Sequence, residues 1–130
     1  RRGATAFEFA VTAPLVFLIF FAQLEFSRAN LMRHSIQTAA YEGARRGIVP
    51  GATANDVRAE AQRILNAVGA RNSTVAVVPA QILPTTQDVT VTVTLSINEN
   101  SWGSAKFLKD RTLTSTVTLS REVVDLTAFN

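Results

Sequence analysis

The sequence predicts an α+β fold: a long apolar N-terminal helix, then a small head in which a short helix backs an antiparallel β-sheet. Three observations predict it. The run from Phe9 to Leu24 carries no charge and is apolar on every side, a capped amphipathic pattern follows over 54–68, and hydrophobicity alternates with a period of two in the C-terminal half. A chain of 130 residues argues for one domain. With the long helix set aside, roughly 80 residues form a head too small to bury much surface alone, so it is expected to borrow one face of that helix.

The N-terminal helix is expected over 4–47, in two parts. Extending Phe9–Leu24 back to Ala4 reaches the roughly 20 residues that a bilayer-spanning helix needs. The same run could be the core helix of a soluble protein, but the rest of the chain is too small to wrap it. A signal peptide is also disfavoured, although Arg1 and Arg2 precede the run: the apolar stretch exceeds the usual 7 to 15 residues and no obvious cleavage site follows Leu24. Residues 4–24 therefore read as a membrane span, and 25–47 as its amphipathic continuation.

Two residues in the span depart from a plain anchor. Glu8 would cost about 2.5 to 3.5 kcal/mol at mid-bilayer and less near the interface, so it is either solvated at the interface or paired with a cation. Pro14 removes a backbone donor, which marks a hinge or only a kink.

Beyond the span, Leu31, Ile36, Ala39 and Ala40 recur among polar residues, and Glu25 with Arg28, and Glu42 with Arg45 and Arg46, stand at spacings that share a helix face. Ala39, Ala40, Gly43 and Ala44 allow another backbone close, either the protein's own sheet or a second subunit. The run Gly47-Ile48-Val49-Pro50-Gly51 ends the helix.

The head is expected over 48–130. Thr53 caps a helix over 54–68 with Asp56 three residues on; Val57, Ala61, Ile64, Leu65 and Val68 form its apolar face and Gly69 stops it. Val89, Val91, Val93, Leu95 and Ile97 alternate with polar residues as a strand over 88–98. Leu113, Val117, Leu119 and Val123 do the same over 112–125, and 73–78 is the third strand. In the connection between the last two, Trp102 and Phe107 with Leu108 either contact another subunit or cap the small core. Asn72-Ser73-Thr74 fits the minimal glycan-acceptor pattern, a weak signal.

Function classes narrow quickly. There is no cysteine, so disulfides, thiolate metal sites and a cysteine nucleophile are excluded. The single histidine, His34, reads as a helix-surface residue, no Asp/Glu/His cluster has metal-ligand spacing, and no glycine-rich turn follows a strand. The expectation is a non-enzymatic protein with no catalytic residues, no metal and no cofactor. The net charge of +3 is mild and the arginines are dispersed, which argues against nucleic acid as a partner.

The string Arg2-Gly3-Ala4-Thr5-Ala6-Phe7-Glu8-Phe9-Ala10, then Ala13-Pro14-Leu15, then Glu25-Phe26-Ser27-Arg28, resembles the TadE-like family, pilin-like proteins of tight-adherence (Tad) pilus systems related to type IV pilins. Ala39-Ala40-Tyr41-Glu42-Gly43-Ala44-Arg45-Arg46 resembles that family's second, Ala-rich stretch. The resemblance implies a pilin-like head and a prepilin-peptidase cut between Gly3 and Ala4, making residues 1–3 a leader remnant. The new amine of Ala4 would then neutralise Glu8 of a neighbouring subunit. The chain retains Arg1–Gly3; in an unprocessed form, or one cut upstream, Arg1 or Arg2 of a neighbour would replace that amine.

By the same resemblance the chain is expected to insert in the inner membrane, meeting lipid before assembly, and then to self-associate into a homopolymeric extracellular filament on the cell surface. Prepilin peptidase and the pilus assembly machinery are the further partners. Phe9, Val11, Pro14, Leu15, Phe17, Leu18, Phe20, Phe21 and Leu24 are the expected filament-core packing residues. A minor pseudopilin or membrane-anchored assembly component of a Tad pilus or secretion system is the alternative, and a membrane-tethered binding module a more distant one.

Overall fold

The computed structural model describes residues 2–101 and 108–122. Its elements are α1 (Arg2–Gly47), α2 (Ala54–Ala67), β1 (Ser73–Val78), β2 (Asp88–Ser96), α3 (Ile97–Asn100) and β3 (Thr112–Ser120). The expected α+β layout is the observed one. Trp102, Phe107, Val123 and the rest of 123–125 lie outside the described residues, as does Arg1.

The 46 residues of α1 make a helix about 69 Å long at 1.5 Å per residue. It runs unbroken through Pro14 and already includes Arg2 and Gly3, so no structural boundary falls at Ala4. Only its second half carries the head. There Met32, Ile36, Ala39, Ala40, Gly43, Ala44 and Gly47 are buried, a three-and-four spacing that keeps one face inward. Leu31, expected on that face, is instead 47 % exposed, and Met32 takes the inward position. One residue is a rotation of about 100°, and the buried neighbour at Ile36, four residues on, selects Met32.

The small residues on this face admit the protein's own head. A Cβ added at Gly43 would stand 3.3 Å from both Ala61 Cβ and Val57 O, and one at Gly47 only 2.7 Å from Val89 Cγ1. Between the two readings of the stripe at 39–44, α2 and β2 are what it contacts. Gly47, expected only to help terminate the helix, is still helical and is its tightest packing point.

Helix α2 is set by its cap. Thr53 accepts a hydrogen bond from the Asp56 backbone N–H while the Asp56 carboxylate accepts from Thr53 N at 2.8 Å, a reciprocal capping box. Its inner face is Ala54, Val57, Ala61 and Leu65, all buried. It ends at Ala67, one residue before the expected limit, with Val68 as C-cap and Gly69 following at φ +68°, the left-handed conformation that glycine takes without a Cβ clash.

The sheet is an antiparallel meander in the order β1-β2-β3, with Val91 opposite Val77 on one side and Val117 on the other. Central β2 alternates as expected: Val89, Val91, Val93 and Leu95 are fully buried under α1 and α2. The opposite face is polar, and paired threonine hydroxyls meet across it, Thr90 with Thr118 at 2.8 Å and Thr92 with Thr116 at 3.0 Å.

Strand β2 was expected to reach residue 98, but it stops at Ser96 and turns into α3. The cause is Asn100, 4 % exposed, whose Nδ2 donates to Ser96 O (2.8 Å) and Arg71 O (2.9 Å) while its Oδ1 accepts from Arg71 N (2.7 Å). These bonds pull the chain into a turn and tie it to the residue pair ahead of β1. Ile97 is still buried, but from α3.

Candidate membrane-spanning and assembly surface

Residues 3–24 of α1 are the surface the head does not cover. Phe9 is 73 % exposed, Phe17 60 % and Phe21 61 %; Val11, Leu15, Leu18 and Phe20 are exposed to a similar degree, Pro14 is exposed, and Leu24 is half-buried. Apart from Leu24, every expected packing residue of this segment is therefore exposed rather than packed into the head. Phe20 and Phe21 meet edge to face at 5.9 Å between ring centres. So many contiguous aromatic and aliphatic side chains far exceed the scattered apolar surface of a soluble monomer, and demand lipid or protein around them.

The backbone of this segment bonds within the helix, as a hydrocarbon environment requires, except that Pro14 has no N–H to offer the Ala10 carbonyl. Thr12 follows that logic by donating its hydroxyl to Glu8 O at 2.7 Å. Glu8 is exposed and, among the described residues, has no ion-pair partner. Gly3 and Ala4 are exposed in the first turns of α1, and nothing lies within 4 Å of a Cβ added at Gly3. Arg2 is helical.

Where the apolar stretch ends, the head begins. Glu25 accepts the backbone N–H of Leu108 at 2.7 Å, and Arg28 Nε donates to Asn100 O at 3.0 Å. The sequence spacing of Glu25 and Arg28 lets them share a helix face, and these bonds join both of them to the β2–β3 connection as well. No local signal could have shown this, because the partners lie 83 and 72 residues away. The second expected pair is local, with Arg45 Nη1 3.5 Å from Glu42 Oε2. His34 is exposed on the outer face of α1, its carbonyl accepting from Thr38.

Two carboxyls of α2 are perturbed by their neighbours. The Thr53 backbone and hydroxyl hold the Asp56 carboxyl below its usual range, and the Arg63 guanidinium does the same for Glu60. Both are capping or surface features. Among the described residues no three His, Asp or Glu side chains gather as a metal ion would require.

No curated protein and no solved structure matches the chain significantly. The family model of TadE-like protein matches residues 3–45, nearly the whole of α1 and the segment that carries both sequence stretches resembling that family. That segment also includes the one helical stretch among the described residues that is apolar and long enough to cross a membrane. Over residues 3–45 the chain is thus similar to the TadE-like family, and the match falls on the helix that carries the apolar, membrane-length stretch.

Proposed function

We propose that this chain is a structural, pilin-like subunit that resides in the inner membrane through residues 4–24 and polymerises into an extracellular Tad or type IV-like filament. The observation that carries the reading is the contrast within α1: a head whose core closes without residues 3–24, and an apolar stem with nothing upon it. A stem surrounded first by lipid and then by like stems never meets water, so polymerisation exchanges one apolar neighbour for another.

Within this reading prepilin peptidase cuts between Gly3 and Ala4, and the Ala4 amine, or Arg1 or Arg2 of an uncut neighbour, pairs with Glu8 across the stem bundle. That Glu8 has no ion-pair partner among the described residues supports such a role, since a carboxylate in an apolar bundle is costly without a cation. Glu8→Gln is expected to insert normally in membranes yet give fewer filaments; a normal filament yield in that variant removes the docking role. The reading as a whole is tested on sheared surface filaments by mass spectrometry. It requires this chain as the dominant component, with Ala4 leading if the cut is as proposed. Confinement of the chain to membranes would make it a minor assembly component instead.

A further inference from the structure

Helix α1 and strand β2 run in opposite directions. Gly47 at the far end of α1 meets Val89 at the start of β2, while Glu25 and Arg28, just past the apolar stem, hold the connection that follows β2. If residues 4–24 cross the bilayer, as the proposed function has it, the rim formed by Ile97–Ser101 and Leu108–Arg111 sits on the membrane. Leu108 N is bonded to the side chain of the first residue after Leu24, and the headgroup layer occupies roughly 5 to 7 Å on each side of the hydrocarbon.

At this level a groove of about 520 Å³ opens between α1 and the start of β3. Its two sides differ in character. Phe26, Leu108 and Leu113 are apolar, and Phe26 is 55 % exposed, whereas Asn30, Arg33 and Arg111 are polar. Arg33 and Arg111 stand on different elements, both are exposed, and neither forms a salt bridge among the described residues. Arg33 lies nine residues beyond Leu24, about 14 Å along the axis. Helical side chains lean toward the N-terminus, however, which here is toward the membrane, and a long arginine extends its charge to the interface.

We infer that this groove is a binding site for an anionic phospholipid headgroup. The phosphate is clamped by Arg33 and Arg111 with the Asn30 amide beside them, and the glycerol and upper acyl chain lie against Phe26, Leu108 and Leu113. Two guanidiniums suit a phosphate because each presents paired N–H donors in a planar fork. Phe26, exposed in the groove's lining, lies two residues past the membrane-spanning stem, which favours a lipid over a soluble anion. The site also gives the arginines beyond the stem a use on the head's side of the membrane, where the usual distribution of basic residues does not call for them. The head is thereby seated on the bilayer, and leaving the membrane for a filament requires release of that lipid.

The test uses the full chain reconstituted in vesicles of phosphatidylcholine alone or with phosphatidylglycerol, with insertion verified by resistance to carbonate extraction. Because the chain lacks cysteine, a fluorescent label is directed to Lys109→Cys at the rim or to Gln87→Cys at the opposite end of β2. The rim label is expected to be quenched several-fold less by neutral aqueous acrylamide than the distal one, and less again when phosphatidylglycerol is present. In the Arg33→Gln/Arg111→Gln background the phosphatidylglycerol-dependent part should disappear while insertion stays. Equal quenching at both positions in inserted protein, or a full phosphatidylglycerol response in the double variant, overturns the lipid site and leaves the anchor intact. Loss of the chain to carbonate overturns the anchor and the site with it.

Discussion

The two halves of α1 share one unbroken helix and obey different solvents. Residues 3–24 add nothing to the head's buried core and are largely apolar; residues 25–47 bury one narrow face built from Met32, Ile36 and a run of alanines and glycines. The difference teaches that length and periodicity alone do not define a helix's role. In the upper half, small side chains bring α1 close enough to α2 and β2 to complete a core that the head could not fill itself. In the lower half large side chains face outward in every direction, which only a non-aqueous surrounding rewards.

The sharpest way to break this contrast is to truncate both halves alike. Ile36→Ala, in the buried face, is expected to lower the head's unfolding free energy by about 2 to 5 kcal/mol, whereas Leu18→Ala in the stem should leave it unchanged. Denaturant unfolding of the full chain in micelles compares the two; similar losses would mean the stem packs on the head after all. The converse is a charge. Leu18→Lys should raise the cost of insertion by about 3 kcal/mol, seen as loss of carbonate-resistant membrane protein, while head stability holds.

Crowding is the next probe. Gly47→Ala forces a Cβ to within 2.7 Å of Val89 Cγ1 and 3.0 Å of Val57 Cγ2, both on stiff, fully buried side chains, and should cost about 1 to 3 kcal/mol. Gly3→Ala, with open space around it, should cost the fold nothing. A tolerated alanine at Gly47 would show that α1 and the head can slide apart.

The smallest effect concerns acid. Because the Asp56 carboxyl is held below its usual range by Thr53, its bonding stabilises the fold above roughly pH 4, the ordinary carboxylate range, and that contribution is lost as pH falls through the depressed folded value. Asp56→Asn should therefore lower the melting temperature at neutral pH, with the gap from the parent closing on acidification. A gap independent of pH would mean the cap does not depend on the charge.

Much of this architecture is legible in the residues. The stem announces itself by an uncharged run from Phe9 to Leu24, α2 by Thr53 and Asp56 three apart, and β2 by strict valine–threonine alternation, since each is a local pattern with a local physical cause. What escapes is long-range. Nothing near Ser96 shows that β2 must stop there, because the cause is Asn100 bridging to Arg71. The choice of Met32 over Leu31 and the use of Glu25 and Arg28 to grip the β2–β3 connection depend likewise on where the head lies. The groove beside Arg33 and Arg111 brings together residues from opposite ends of the chain and has no sequence signature.

The central claim is that one helix lives in two environments, and a pair of single cysteines reads it most directly in a chain with none of its own. Phe17→Cys and Tyr41→Cys, both exposed on the isolated chain, are treated in native membranes and in sheared surface material with a membrane-impermeant thiol reagent offered to the face of the membrane that carries the head. The account predicts reaction at residue 41 in membranes and protection at residue 17 in membranes and filaments alike. Ready labelling of residue 17 in membranes would contradict it.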